Sequence, residues 1–300
     1  MTKIVYSIYI NIPKEDLDEE PPFSGEEISK SLKGKENFNK NISYLIGMQK
    51  EYASKIGAVY KFFGNDIFWE EYYRDMKSKY PFLTTYLILN FYKIHLLYEL
   101  SEEYEEVLYL DLDVIPITDL DFFEYHDVKN NIVVQKEFPP HIKSWWHRIR
   151  MENSKTNLSA RSPEAKCWNA HALLSYAGYR PLREVYNTGI VGASKSSLRK
   201  LNYFEDFEEL LDLMTDLKEE EGMYSSTMRE SFGWDNETIL SYKIIINNVP
   251  EINLDRKWHY ILDSKFNFIP EDTHMVHVIN KEFDFARKRI EEINLHKLYK

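Results

Sequence analysis

Glu106-Val107-Leu108-Tyr109-Leu110-Asp111-Leu112-Asp113-Val114-Ile115-Pro116 is the stretch on which the reading of this chain turns. Its first five residues form a short, strongly apolar run of the kind that makes a buried strand, and the run passes directly into two carboxylates one residue apart. Carboxylates leaving a buried strand are not explained as solvated surface charge. Aimed at one place they repel each other, and a divalent cation relieves that repulsion; a structural turn is the plainer alternative. The same Asp-Leu-Asp string recurs at Asp16 to Asp18 and at Asp119 to Asp121, as an acidic chain permits. The first copy lies in an acidic loop, and the third follows Pro116, where either aspartate suits a turn or a helix cap.

Working outward, Lys3 to Ile12 reads as a strand stopped by Pro13, and Lys14 to Gly25 as an exposed loop around Pro21-Pro22. Asn37 to Ile56 carries helical periodicity and is followed by Gly57, a common helix stop. Ala58 to Phe63 reads as a second strand, and Pro81 to Leu100 as a long helix with proline in its first turn. Downstream, Asn131 to Gln135 and Gly189 to Ala193 read as strands, Lys195 to Leu217 and Asn236 to Ile246 as helices, and His274 to Ile279 as a last strand. This alternation predicts an α/β fold with an open, mostly parallel central sheet flanked by helices. Ligands of such sheets gather at the carboxyl ends of the strands, where Asp111 and Asp113 lie. Residues 137–183 lack clear periodicity and read as an irregular or helical excursion from a single domain spanning residues 1–300.

Three hundred residues with 43% hydrophobic content suffice for one large α/β domain. Apolar stretches such as Thr85 to Leu89 are too short to span a bilayer and no signal-peptide pattern opens the chain, so a soluble protein is expected. The single cysteine, Cys167, excludes an internal disulfide and a multi-cysteine zinc site, and it suggests a reducing, cytoplasmic setting. Cys167 itself reads as a packing residue. A formal net charge of −11 argues against a nucleic-acid polymer as partner. A phosphorylated ligand would need local neutralisation, which a cation held by carboxylates provides.

Tyr109 to Pro116, preceded by Phe91-Tyr92-Lys93-Ile94 and followed by Asp119-Leu120, resembles the core of retaining GT-A glycosyltransferases of the glycogenin and galactosyltransferase type. The resemblance implies a GT-A (Rossmann-like) fold, Mn2+ or Mg2+ held by Asp111 and Asp113, and a nucleotide-sugar donor such as a UDP-sugar whose diphosphate the cation grips. Lys93 matches a basic residue near the donor; a solvated helix charge is the alternative. Tyr186-Asn187-Thr188-Gly189-Ile190-Val191 resembles the Asn-x-Gly stretch lining the active site, and there Asn187 offers both donors and acceptors to hydroxyls. Trp234-Asp235-Asn236-Glu237 resembles the acidic-polar stretch beside the donor sugar, which makes Asp235 and Asn236 site candidates; Asp235 is equally a natural N-cap. His274-Met275-Val276-His277-Val278-Ile279-Asn280-Lys281 resembles the element that supplies a third metal ligand and a diphosphate-binding lysine, with His277 and Lys281 the better match and His274 the fallback. The family's Gly-x-x-Lys-Pro-Trp continuation is absent. Residues 137–183 have no alignable counterpart, and Trp145, Trp146 and Arg148 are candidates for contact with a glycan, protein or small-molecule acceptor, with a packing role as the alternative.

Two other readings fit the aspartates. A magnesium-dependent phosphatase of the haloacid-dehalogenase type also places Asp-x-Asp after a strand, but normally near the chain start and followed by Gly-Thr. A sugar-binding protein on a degenerate transferase scaffold is the third.

Overall fold

The computed structural model describes residues 2–18, 29–137, 163–180, 184–219, 229, 232–262 and 268–298. In chain order these form β1 (Lys3–Ile8), α1 (Lys30–Lys55), β2 (Val59–Phe63), α2 (Ile67–Lys79), α3 (Thr85–Glu103), β3 (Glu106–Leu110), β4 (Val114–Pro116), α4 (Phe122–Tyr125) and β5 (Ile132–Glu137). Then follow α5 (Pro163–Tyr176), β6 (Val185–Ala193), α6 (Lys195–Leu201), α7 (Phe207–Glu219), α8 (Asn236–Ile246), β7 (Glu251–Asn253), β8 (Tyr260–Leu262), β9 (Met275–Val278) and α9 (Phe283–Leu298).

The central sheet has the strand order β2-β1-β3-β6-β5-β7. β1 is parallel to β2 and β3, β5 is parallel to β7, and β6 runs antiparallel between β3 and β5. The architecture is therefore α/β with a mostly parallel sheet. Successive residues of a strand face opposite sides. On one side Ile4, Tyr6, Val107 and Tyr109 join a core shared with α3, α7 and α8. On the other, Val5, Leu108 and Leu110 pack with Tyr52 and Ala53 of α1 and with Ile56 just after it. Both faces are covered, which is why β3 is buried at every position and apolar from Val107 to Leu110 rather than alternating.

A small second sheet, β4-β9-β8, lies beyond the carboxyl end of β3. Asp111-Leu112-Asp113 is the link from one sheet to the other: the Asp111 N–H donates to Gly189 O (2.8 Å), whereas the Val278 N–H donates to Asp113 O (2.9 Å). Among the described residues no helix is long and apolar enough to cross a membrane.

Several expected boundaries move, each for a local reason. The helix expected from Pro81 begins at Thr85, because Thr84 caps it by accepting the Leu87 N–H, and Pro81 lies in the turn after α2. α1 begins at Lys30 rather than near Asn37, capped by Ser29. Its first turns are polar and carry no apolar period to read. The helix expected over Lys195 to Leu217 is two helices, since Asn202 adopts a left-handed conformation (φ 49°) that ends α6. β1 stops at Ile8. Within residues 137–183, Pro163–Tyr176 is a helix whose Ala165, Cys167, Ala170, Leu173 and Leu174 are buried, so Cys167 is a packing residue. Trp145, Trp146 and Arg148 lie outside the described residues, as does Pro21-Pro22.

Candidate functional site

The link after β3 is locked by side chains from three elements. Gln49, wholly buried on α1, donates its amide to both Asp111 O and Val114 O at 2.9 Å. This closes the turn in which the Val114 N–H donates to Asp111 O. With its backbone pinned, the Asp111 carboxylate is held through Oδ1, which accepts from the Tyr109 hydroxyl at 2.5 Å and faces Lys93 Nζ at 3.5 Å. The Lys93 backbone carbonyl accepts in turn from the Tyr6 hydroxyl at 2.6 Å.

β9 brings the third member. His277 sits opposite Val114 across the β4–β9 ladder, so its ring is delivered to the link by strand register and not by chain proximity. Its Nε2 lies 3.2 Å from Asp113 Oδ2 and 3.9 Å from Asp111 Oδ2. One ligand atom from each of Asp111, Asp113 and His277 falls within 4.8 Å of the others. Lys281, four residues on and in a left-handed backbone conformation (φ 59°), pairs with Asp113 Oδ2. Gly189 of β6 makes room for the imidazole, since a Cβ there would stand 2.6 Å from His277 Cε1.

The charges are strongly coupled. Burial alone would raise the Asp113 carboxyl, but Lys281 and His277 beside it hold it well below the usual carboxylate range. For His277 burial works toward the neutral ring, and the attraction of Asp113 and Asp111 outweighs it, leaving its pKa raised. Lys281 is raised for the same reason.

A second layer adjoins this cluster in a cavity of about 690 Å³ that takes in Lys93, Asp111, Asp113, Asn187, Asn236 and Lys281. Asn187 donates to Glu137 Oε1 at 2.6 Å and accepts the Gly189 N–H at 2.8 Å. Asn236 donates to the Thr188 hydroxyl at 2.9 Å. Asp235 is the N-cap of α8: Oδ1 accepts the N–H groups of Glu237 and Thr238 at 3.0 Å, and Oδ2 accepts the Thr238 hydroxyl at 2.6 Å. Glu237 accepts from the Thr188 N–H at 2.8 Å and pairs with Lys166 at 2.5 Å. Burial tends to raise the Glu237 carboxyl; Lys166 and Lys93 override that and lower it. Glu137 is instead raised, by burial first and then by the charge of Glu237.

The sequence candidates Lys93, Asp111, Asp113, Asn187, Asp235, Asn236, His277 and Lys281 thus line one cavity. His274 does not join them; its ring packs on Trp258, with centroids 4.7 Å apart. Nor do the other two Asp-Leu-Asp strings form a second site. Asp121 caps α4 and pairs with Lys3 (2.6 Å), Asp119 pairs with Lys55 (2.8 Å), and Asp18 accepts from Thr84 (3.3 Å). Gln49, Glu137, Lys166 and His259 belong to the surroundings of the site without having been legible in the sequence. Each is a lone polar residue in an otherwise ordinary element, and only its placement in the fold marks it.

No protein-family model and no curated protein sequence matches the chain. Solved structures do align along nearly its whole length, at low identity. A glycosyltransferase involved in the glycosylation of the major capsid of PBCV-1 aligns with 14% identity over 98% of this chain and 100% of its own, at a TM-score of 0.39. Mouse xyloside xylosyltransferase 1 in its apo form gives 12% identity over 93% and 98%, at 0.46. An active-site mutant of LgtC gives 10% identity over 98% and 95%, at 0.44.

Proposed function

We propose that this chain is a metal-dependent glycosyltransferase that moves a sugar from a nucleotide-sugar donor, a UDP-sugar, to an acceptor hydroxyl with retention of configuration. The observation that carries the reading is the convergence of Asp111, Asp113 and His277 within 4.8 Å at the carboxyl end of a parallel strand, inside a cavity that also holds Lys93 and Lys281.

Two carboxylate oxygens and one imidazole nitrogen suit Mn2+, or Mg2+ with more water in its shell, and Gly189 leaves the imidazole the space it needs. Asp111, Asp113 and His277 would hold the ion, which when bound supplies positive charge to the departing diphosphate. Lys281 and Lys93 add fixed ammonium groups on the same side, so the charge that grows on the leaving group meets preorganised partners. Asn187 and Asn236 line the same cavity, and the hydrogen-bonding capacity their amides keep beyond their protein partners would serve the donor sugar's hydroxyls.

The stereochemical part of the reading is supported by the state of the two carboxylates at the start of α8. Both oxygens of Asp235 are taken up in capping α8, and Glu237 is engaged by Thr188 and Lys166. Neither is left free to deprotonate an acceptor hydroxyl, which accords with a retaining reaction whose departing phosphate helps take that proton. Residues 137–183 are the proposed acceptor side, for a glycan, protein or small-molecule hydroxyl. The lone buried Cys167 accords with a cytoplasmic setting.

The test is a panel of nucleotide sugars incubated with the protein and Mn2+, reading nucleoside diphosphate release with and without acceptors. Slow donor hydrolysis is expected for at least one UDP-sugar, abolished by EDTA and reduced about a hundred-fold or more in Asp113→Asn. Phosphate release from simple phosphomonoesters with no response to any nucleotide sugar would overturn the proposal in favour of a phosphatase.

A further inference from the structure

The imidazole of His277 is gripped from behind by a second histidine. His259 lies one residue before β8, the strand that pairs in parallel with β9, and is 1% exposed. Its Nε2 stands 2.8 Å from His277 Nδ1, and the two rings lie within 20° of parallel, with centroids 5.1 Å apart. The His259 backbone is itself tied down, its N–H donating to Asp255 O at 3.1 Å and its carbonyl accepting from the buried Gln135 amide at 3.0 Å. Gly189 closes the site around the His277 ring, its missing Cβ falling 2.8 Å from the same Nδ1. One nitrogen of His277 therefore faces the two aspartates, and the other faces His259.

That division of labour has a chemical consequence. A neutral imidazole carries one hydrogen, and a nitrogen that offers its lone pair to a cation cannot carry it. For His277 Nε2 to serve beside Asp111 and Asp113, the hydrogen must reside on Nδ1, and the group that Nδ1 meets is His259 Nε2. Packing alone does not explain an imidazole at this position. Among the described residues His259 Nδ1 is buried with no hydrogen-bond partner, so a hydrocarbon would fill the space without that penalty.

We infer that His259 is a positioning residue for the metal centre: its Nε2 accepts the hydrogen on His277 Nδ1 and so fixes both the tautomer and the ring orientation in which His277 Nε2 is offered to the cation. The inference rests on the metal site proposed above. Outer partners of ligating histidines commonly change metal affinity by about 10- to 100-fold when removed.

Side-chain geometry supplies a test that packing alone does not pass. The terminal group of glutamine falls near the position of a histidine Nε2 and can accept through its oxygen, whereas asparagine ends near the position of Nδ1 and falls short. Mn2+ is titrated into the full chain, alone and again in saturating UDP, with free Mn2+ followed by electron paramagnetic resonance. The variants His259→Gln, His259→Asn and His259→Leu are compared with the parent, each with a thermal melt to establish folding. Expected is a loss of Mn2+ affinity of about 10- to 100-fold in His259→Asn and His259→Leu, with most of it recovered in His259→Gln. Affinities equal to the parent in all three variants, or equally weak in Gln and Asn, would overturn the inference while leaving the metal site in place. A parent protein that binds no Mn2+ in either titration would instead remove the proposed function itself.

Discussion

Gly189 has no side chain, and the His277 imidazole occupies the space one would fill. A methyl group placed there meets His277 Cε1 at 2.6 Å and Nδ1 at 2.8 Å, both well inside contact distance. The ring is held between β6 and His259 and has no easy retreat, so Gly189→Ala is expected to cost about 1–3 kcal/mol in urea unfolding, the range of an overpacked core. Mn2+ affinity should fall with it, because the displaced ring no longer faces Asp111 and Asp113. Unchanged unfolding together with unchanged Mn2+ binding would show that the ring has room that the geometry denies it. At the same scale Asp111, Asp113, His277 and Lys281, which the fold brings together, were legible as candidates because a motif with an ordered set of partners can be recognised from the chain alone. His259 and Gln49 sent no such signal: one stands in a short segment before a three-residue strand, the other in the middle of a long polar helix.

At the scale of elements, caps decide where the helices begin and what their first residues do. α8 starts at the cavity because Asp235 takes three hydrogen bonds, two from backbone and one from Thr238. Asp235→Ala is expected to destabilise the protein by about 2 kcal/mol, the upper end for loss of a cap, and Asp235→Ser to restore most of it, as read by chemical denaturation. With both carboxylate oxygens so engaged, the pH–rate profile of the serine variant should keep the shape of the parent's; a lost acid limb would mark Asp235 as a base. Helix α8 was legible to the residue, since Asp235, Glu237 and an apolar run follow one another in the order a helix start requires. α2, by contrast, drew no reading: Ile67 to Lys79 mixes aromatic and charged residues without a clean period, and only two of them, Trp69 and Met76, are buried. The break at Asn202 was hidden because leucines continue on both sides of it. Apolar spacing reports which residues face the core and is silent on a turn made by a single left-handed residue.

At the scale of the molecule, one buried pair ties α5 to α8. Lys166 and Glu237 meet at 2.5 Å, with 18% and 10% of their side chains exposed. Because Glu237 titrates below its ordinary range when folded, its contribution is fully present above the unfolded carboxyl value and is lost as pH falls through the lowered one. Acid unfolding followed by circular dichroism should therefore show a shallower decline for Glu237→Gln than for the parent. At neutral pH that variant leaves the Lys166 ammonium buried without its partner and should be less stable by about 3–5 kcal/mol. A parent and variant with parallel acid limbs would contradict the assignment. Metal binding belongs to this scale too, since a ligand of the folded state stabilises the whole cooperative unit. Mn2+ at about a hundred times its dissociation constant should add roughly 2.7 kcal/mol to unfolding, visible as a raised melting temperature that Asp113→Asn abolishes.

The sequence by itself determined the α/β class, the mostly parallel sheet and the place of Asp111 and Asp113 at the end of a buried strand. These follow from local physics: which residues are apolar, at what period, and where the run of apolar residues ends. Tertiary structure decided the rest. His277 reaches the aspartates through the antiparallel register of β4 with β9, 164 positions from Asp113 in the chain by their numbering, and nothing local to either strand encodes that register. The strand context already sets one Asp-Leu-Asp string apart from the other two, and the fold adds the partners: among the described residues a second sheet brings a histidine and a lysine to Asp113. The choice of His277 over His274 as the member of the cluster follows from the strand that carries it: β9 opens at Met275, so His277 is paired within the ladder while His274 remains outside it, against Trp258.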